Sequence, residues 1–341
     1  MNEQLYRRGR GGVQVRPFAG SARVRCRGYS QPLQRVLTDF GADESFGSAV
    51  GKVREHYGIE VPAGAVRQIT EHHAEVIRKK QEVLRKMPER GGVRQVIGEV
   101  DGSLIPLVRV NEQSESDQRK TRQVSWCEAR LALARRPESV TPRYGATLGS
   151  VDEAGDQLTD CVIRVGGGGR TQVHCVGDGA AWIVEQVERC FGTQGQYLID
   201  FYHVSQYLAA ASEQIVPRHA QRWRRQQQAR LKENRRPQVL QALQPHLEAA
   251  SVAESEAPVR ACFRYLANRP EQFNYRGALQ SGLPIGSGEI ESAHRHVVQA
   301  RLKIAGAWWK REHAASMLAL RVRRANDEWQ SYWQQCSQVV A

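Results

Sequence analysis

Two hydrophobic periods alternate along the chain, and each change of period marks a new part. From Phe46, apolar residues recur at helical spacing, at Phe46, Ala49, Val50, Val53 and Tyr57, which predicts an amphipathic helix. Gly58 and Pro62 interrupt it. A second stripe, Val66, Ile69, His73, Val76 and Ile77, predicts a helix that continues toward Lys86. Two helices across a short glycine-containing turn read as a helix-turn-helix. Its second helix, carrying Arg67 and Gln68, would then face the major groove of DNA. An ordinary helical hairpin fits the same pattern. Residues 1–40 show little periodicity and are expected to form a loosely ordered basic arm.

At Gly91-Gly92 the period shortens toward two. Val93, Val96, Ile97, Val100, Ile105 and Val108 predict a strand or hairpin over 93–110, with Asp101-Gly102 at a turn. Val124–Leu133, Tyr144–Ser150, Leu158–Val165, Thr171–Val176 and Gln196–Phe201 read as further strands, and Ala180–Cys190 as a helix. Strands first, then strand–helix–strand, predict an α/β domain with a mixed sheet covered by helices. The glycine run 166–169 lacks the Gly-Lys-Ser/Thr of a phosphate loop and reads as a turn. A Gln- and Arg-rich helical block follows over 203–285. The last stretch, 286–341, is helical again and holds Trp308, Trp309, Trp329 and Trp333, all expected to pack in the core. The parts are therefore 1–90, 91–202, 203–285 and 286–341.

Charge narrows the partner. The 341 residues carry 49 basic and 36 acidic side chains, a net charge of +13, which favours a polyanion. The first 38 residues hold eight Arg and one acid, with no apolar segment after them, so they read as a basic arm rather than a signal peptide. No stretch is long and apolar enough to predict a membrane span. Seven scattered cysteines without paired spacing read as reduced thiols in the core. A cytoplasmic, nucleoid-associated protein is expected. Arg222, Arg224 and Arg225, in a run with a single acid, form a candidate track for the phosphate backbone; a solvated helix face fits the same run.

Acidic motifs supply the candidate chemistry. Val-Asp-Gly (100–102) and Gly-Asp-Gly (177–179) end apolar runs, and Gly-Ser-Gly-Glu-Ile-Glu (286–291) opens a helical one. Asp101 and Asp178 thus sit where ligands gather on such sheets, at the carboxyl ends of strands. Mg²⁺ takes hard oxygen ligands and is held by few carboxylates together with substrate phosphate. Two such ions support in-line displacement at phosphorus. Glu289 and Glu291 lie about 200° apart on a helix, so only one can join the two aspartates. With Ser287 as N-cap, Glu291 faces the same way as His294 and is the better candidate. Asp200 and His203 lie near the same edge as accessory candidates.

The five segments Val-Asp-Gly-Ser (100–103), Gly-Asp-Gly-Ala-Ala-Trp-Ile (177–183), Ile-Asp-Phe-Tyr-His (199–203), Gly-Ser-Gly-Glu-Ile-Glu-Ser-Ala (286–293) and Arg-Leu-Lys-Ile-Ala-Gly-Ala-Trp-Trp (301–309) occur in that order. In this series the chain resembles bacterial insertion-sequence transposases of the RNase H-like DDE class, in the branch related to Mutator-like elements. The resemblance implies an RNase H-like core, a helical insertion before the last acid, and a catalytic, metal-holding triad at Asp101, Asp178 and Glu291. It places Asp200 and His203 on an Asp-x-x-His motif. It further implies two Mg²⁺ ions, for which Mn²⁺ can substitute, and double-stranded DNA as partner, both element ends and target. A homo-oligomer on DNA is expected, with Arg301 and Lys303 among the DNA-binding residues. A catalytically silent DNA-binding derivative and an RNase H-like nuclease are the alternatives.

Overall fold

The computed structural model describes residues 6–7, 14–15, 28–111, 113 and 117–338. The period-two stretch after Gly92 forms one long strand, β1 (Gln95–Arg109), rather than a hairpin turning at Asp101-Gly102. Asp101 lies in mid-strand, opposite Leu131 of β2 (Gln123–Arg135). The Asp-Gly pair suggests a turn from its local chemistry, but thirteen consecutive antiparallel pairs with β2 override that preference.

β3 (Arg143–Thr147) pairs antiparallel with β2. The chain then crosses through helix α4 (Val151–Arg164) to β4 (Gln172–Gly177), parallel to β1. Helix α5 (Ala181–Phe191) leads to β5 (Gly195–Ile199), parallel to β4. The five-stranded mixed sheet has the order β3-β2-β1-β4-β5 and is flanked by helices. Leu158–Val165, expected as a strand, lies within α4. Its helix-starting signal is upstream: Ser150 accepts from Glu153 N at 3.2 Å, and Asp152 and Glu153 fill the first turn. The polar stripe of this helix, Asp152, Asp156, Asp160 and Arg164, recurs every four residues, but half of it lies before Leu158, so the run from Leu158 shows mainly apolar residues.

The two faces of the sheet are covered differently. Val96, Val100, Ala132, Val173 and Cys175 pack against α4 and α5. Ile105, Leu107, Leu131 and Leu133 of the opposite face pack under Ile290, Val297 and Val298 and under α12 (Arg311–Ala325) and α13 (Trp329–Gln338). The insertion comprises α6 (Phe201–Ile215), α7 (Ala220–Lys232), α8 (Arg236–Leu243), α9 (Pro258–Ala267) and α10 (Tyr275–Gln280), with its own apolar cluster that joins the end of β5 through Leu198 and Ile199.

The N-terminal helices form a three-helix unit: α1 (Gln31–Asp43), α2 (Phe46–Tyr57) and α3 (Ala63–Lys79), around Leu37, Val53, Val66 and Ile69. Part of the stretch expected to be loose is thus helix α1, while most of residues 1–27 lie outside the described residues. Helix α3 stops at Lys79, short of Lys86. Of the four C-terminal tryptophans, Trp309 and Trp333 are buried and Trp329 is partly so, but Trp308 is half exposed. No described helix is long and apolar enough to cross a membrane.

One buried polar network fastens the three-helix unit to the C-terminal helix. Gln34 Oε1 can only accept, so His73 Nε2 carries the proton it receives (3.0 Å), and Tyr332 Oη donates to Nδ1 (2.7 Å). Burial, aided by the neighbouring charge of His72, pushes His73 down to about 3 from 6.5. A depressed folded-state value means that stability is intact above 6.5 and lost as acid protonates the unfolded chain preferentially. Thermal unfolding of the wild type should therefore shift to lower temperature as pH falls from 6.5 toward 4. His73→Gln should be less stable near neutrality and show a shallower acid slope; equal slopes would exclude His73 as the cause.

Candidate functional site

The β1–β4 ladder pairs Gln95 with Gln172 and Glu99 with Val176, a constant offset of 77 (172 − 95). Asp178 follows Asp101 by the same 77 positions (178 − 101), so the register, continued past its last pair, brings the turn that carries Asp178 alongside Asp101. Asp178 itself lies just beyond β4, which ends at Gly177, and its charge bears on Asp101. Asp178 sits in a turn with Gly179 at φ +85°, a conformation that glycine adopts without steric cost. The turn is braced from behind: Gly179 N donates to Tyr197 Oη (2.9 Å), Tyr265 Oη to the Asp178 carbonyl (2.5 Å), and Arg269 to the Gly179 carbonyl (3.1 Å). Asp178 Oδ1 accepts from Ala180 N at 2.8 Å.

The third motif enters over this face. Asp200, buried at the start of α6, accepts from Tyr202 N (2.5 Å) and His203 N (3.1 Å) through Oδ1. Its Oδ2 accepts from Ser287 N (2.7 Å) and Ser287 Oγ (2.5 Å). A Cβ at Gly286 would stand 2.7 Å from the ring of exposed Tyr202, which would have to turn away. Ser287 occupies the N-cap position of helix α11 (Gly288–Ala293), but its hydroxyl goes to Asp200 and makes no cap bond. The cap comes from the sheet instead. Glu99 Oε2, two residues before Asp101 on the same face of β1, accepts from Ile290 N at 2.8 Å. Burial pushes the Glu99 carboxyl up to about 8.

Glu289 and Glu291 divide as their helical angles require. Glu289 turns toward β2, where Arg135 Nε donates to both carboxylate oxygens at 2.8 Å. Glu291 is exposed, and its charge, with those of Asp178 and Glu128, adds to burial in raising Asp101 to about 6. Glu128 acts from the opposite face of the sheet, lying over Gly102, where a Cβ would collide with its carboxylate. His294 follows α11 at the start of a π-helical turn (His294–Gln299), a feature that often marks functional positions. It is buried, neither ring nitrogen has a hydrogen-bond partner, and Nε2 stands 3.7 Å from Asp101 Oδ2.

The remaining candidates scatter. Asp200 has both oxygens engaged by donors and acts as a bracket rather than a free ligand. His203 is partly buried against Tyr207 and Tyr265, behind the Asp178 turn. Lys303 reaches Ser103 Oγ (3.2 Å) beside Asp101. Arg301, expected on the DNA face, is 2% exposed: it donates to the Gly41 carbonyl and lies 4.7 Å from the ring centroids of both Phe46 and Trp309. That position joins the N-terminal unit to the C-terminal helices and removes Arg301 from any DNA surface. Arg222 and Arg225 are exposed on α7, whereas Arg224 is partly buried. Arg67 is exposed on α3, 4.0 Å from Glu71, and Gln68 is partly buried. Glu99 and Arg135 are not marked by any motif. Only the i−2 relation to Asp101 in an alternating strand could flag Glu99.

Among the described residues, no group of three His, Cys, Asp or Glu side chains is arranged to hold one metal ion. The donor chemistry nevertheless fits a hard cation. The charges of Asp178 and Glu291 bear on Asp101, and a divalent ion completed by water and phosphate needs few protein oxygens.

Residues 41–333 match a family described as Uncharacterised protein family (UPF0236). The chain belongs to this family. No curated protein matches the chain at a significant level. The matched span of UPF0236 takes in α2 and α3, the whole sheet, the insertion and the Glu291 helix.

Glu99 provides a test of how the helix is seated. Glu99→Gln keeps an oxygen for Ile290 N and should unfold close to the wild type near pH 6. Glu99→Ala orphans that N–H and should cost about 1–3 kcal/mol. An acid raised in the folded state stabilises below its unfolded value and loses that contribution as pH climbs through about 8. The Glu99→Gln variant should therefore gain on the wild type between pH 6 and 9 in denaturant titrations. A constant difference across that range would show that Glu99 is not held protonated.

Proposed function

We propose that this UPF0236 chain is a DNA transposase of the RNase H-like DDE class, cleaving and joining phosphodiester bonds with Asp101, Asp178 and Glu291. One observation carries the reading: the β1–β4 offset equals the Asp101–Asp178 separation, and Asp101 feels the charges of both Asp178 and Glu291. Three antiparallel strands continued by two parallel ones support an RNase H-like core, and a helical insertion precedes the last acid as that class requires.

Asp101, Asp178 and Glu291 are the residues that would hold two Mg²⁺ ions. Bound there, the ions would activate the attacking oxygen and stabilise the leaving one. Glu99 and Asp200 hold the Glu291 helix against the sheet, and Lys303 offers a cation to a phosphate beside Asp101. Arg222 and Arg225 suit a duplex backbone track, and the exposed part of α3 around Arg67 suits contact with element ends. Synapsis of two ends calls for a homo-oligomer on DNA.

A second reading, a catalytically silent DNA-binding protein, is favoured by the lack of any three described side chains gathered around one metal position. Cleavage of a plasmid carrying the DNA that flanks the gene separates the two. With Mg²⁺ or Mn²⁺, Asp101→Asn, Asp178→Asn and Glu291→Gln should each cut roughly a hundredfold or more slower while binding as well as the wild type. Glu289→Gln should keep cleavage but unfold at lower temperature, since Arg135 is then without its charged partner. Absence of cleavage by wild-type protein that binds this DNA would favour the silent reading.

Arg222→Ala with Arg225→Ala should flatten the slope of log affinity against log salt by about 0.9 for each phosphate no longer neutralised. Arg67→Ala should instead reduce discrimination between flanking and unrelated DNA. An unchanged slope would assign α7 to packing.

A further inference from the structure

Beyond the carboxylates, β1 and β2 continue as a two-stranded extension that leaves large apolar side chains exposed on its α4/α5 side, although Val108 there is buried. Leu104, Val124 and Trp126 are 54, 50 and 64% exposed. Leu104 pairs with Glu128, Pro106 with Trp126 and Val108 with Val124, so these side chains share one face. Pro106 lies five positions past Asp101, about 17 Å along the strand at 3.3 Å per residue. Beside Trp126 is a cleft of about 700 Å³, lined among others by Arg109, Glu128, Arg130, Lys310 and Arg311. Four basic and two acidic side chains line it in all. Trp308, half exposed, stands at the same end with the Arg122 guanidinium over its ring at 5.2 Å.

We propose that this cleft receives an unpaired nucleobase of the bound DNA, stacked on Trp126, with its phosphate against Arg109 and Lys310. The proposal rests on the transposase reading and names the form of DNA this surface takes. An exposed indole beside a cationic rim is the combination that holds single strands: bases stack on the ring whatever their sequence, and the rim follows the backbone. A second copy of the chain suits the surface less well, because two net-positive linings would face each other. The path from the carboxylates is short. β4 makes its last pair with β1 at Glu99, and Trp309 pairs at Leu107 and Val108. Among the described residues no strand pairs with this edge of β1 between them, and only the side chains of Gln299 and Lys303 hydrogen-bond Ser103 there. A strand leaving Asp101 can cross this edge to the face that carries Trp126. The floor holds hydrogen-bonding groups for a base edge, Glu128 paired with Arg130 at 2.5 Å, and Arg130 Nε is buried without a partner.

The test compares full-length wild type, Trp126→Ala, Trp126→Phe and Arg109→Ala by fluorescence anisotropy in Mg²⁺-free buffer. The probes are an oligothymidine and a blunt duplex of equal length. Trp126→Ala should weaken oligothymidine binding roughly tenfold, the scale of one base stack, and leave duplex binding and the salt slope unchanged. Trp126→Phe should recover most of that affinity, and wild-type indole fluorescence should be quenched by the single strand only. Arg109→Ala should weaken single-strand binding and flatten its salt slope. Because Trp126 is mostly exposed, the variants should melt with the wild type. Equal affinities of Trp126→Ala and wild type for oligothymidine would overturn the cleft proposal while leaving the DNA reading intact. A change of sedimenting mass in Trp126→Ala would overturn it in favour of a second copy. Wild type that binds neither probe would overturn the DNA reading and the cleft proposal with it.

Discussion

Everything at the candidate site hangs on one carboxylate whose two oxygens are both engaged within the protein. Asp200 takes four donors, two from its own helix and two from Ser287, 87 residues later. A buried carboxylate is tolerable only when its oxygens are satisfied in this way. Saturation also makes the contact directional, because both oxygens are committed and the Ser287 segment has one position in which it fits. Glu99 adds a second fixed point one turn further on, accepting the Ile290 N–H from the middle of β1. Between these two anchors α11 has little freedom to rotate, so Glu289 goes to Arg135 and Glu291 is left on the side of Asp101. A helix of six residues could not hold such an orientation by its own propensity.

Much of this is legible in the chain, and the exceptions share a cause. The strands that alternate or carry β-branched runs are readable, as is the offset between the two Asp-Gly motifs, because sequence spacing and ladder register are the same quantity in a parallel pair. Leu158–Val165 misleads because it takes in only the second half of a helix whose polar stripe, Asp152, Asp156, Asp160 and Arg164, begins six residues before Leu158. Asp101-Gly102 passes for a turn because turn chemistry is local, whereas thirteen cross-strand pairs are not. Arg301 carries a charge that marks surface in any composition-based reading, yet two aromatic rings and a carbonyl accept its guanidinium inside the protein. Glu99 is invisible for the opposite reason: its partner is a backbone N–H 191 residues away, which leaves no motif.

The insertion has two faces with different duties. Its cationic side, around Arg222 and Arg225, suits a polyanion, but its inner side is structural. Tyr265 and Arg269 at the end of α9 reach the carbonyls of Asp178 and Gly179, and Tyr207 stacks on Tyr265 with ring centroids 4.3 Å apart. The helices before the third acid therefore brace the turn that carries the second. That coupling gives a physical reason for placing a helical block at this point of the chain. It supplies a wall behind the Gly-Asp-Gly turn, where the β4 strand has ended and no ladder remains to hold it.

Charge is distributed against the trend of the whole molecule. A chain with a net charge of +13 brings the charges of Asp178, Glu128 and Glu291 to bear on Asp101, Glu128 from the opposite face of the sheet. Arg135 is engaged by Glu289 and Arg130 by Glu128, and Lys303 is held on Ser103, so none of the three forms an ion pair with Asp101, which stays raised to about 6. A site serving stability alone would relieve that repulsion with one of the many available arginines. Retained repulsion between carboxylates on rigid strands is instead what a cation-binding, phosphate-facing surface needs, since the relief then comes with the ligand. On the proposed reading, the basic surroundings would draw a polyanion toward a centre that would otherwise repel it.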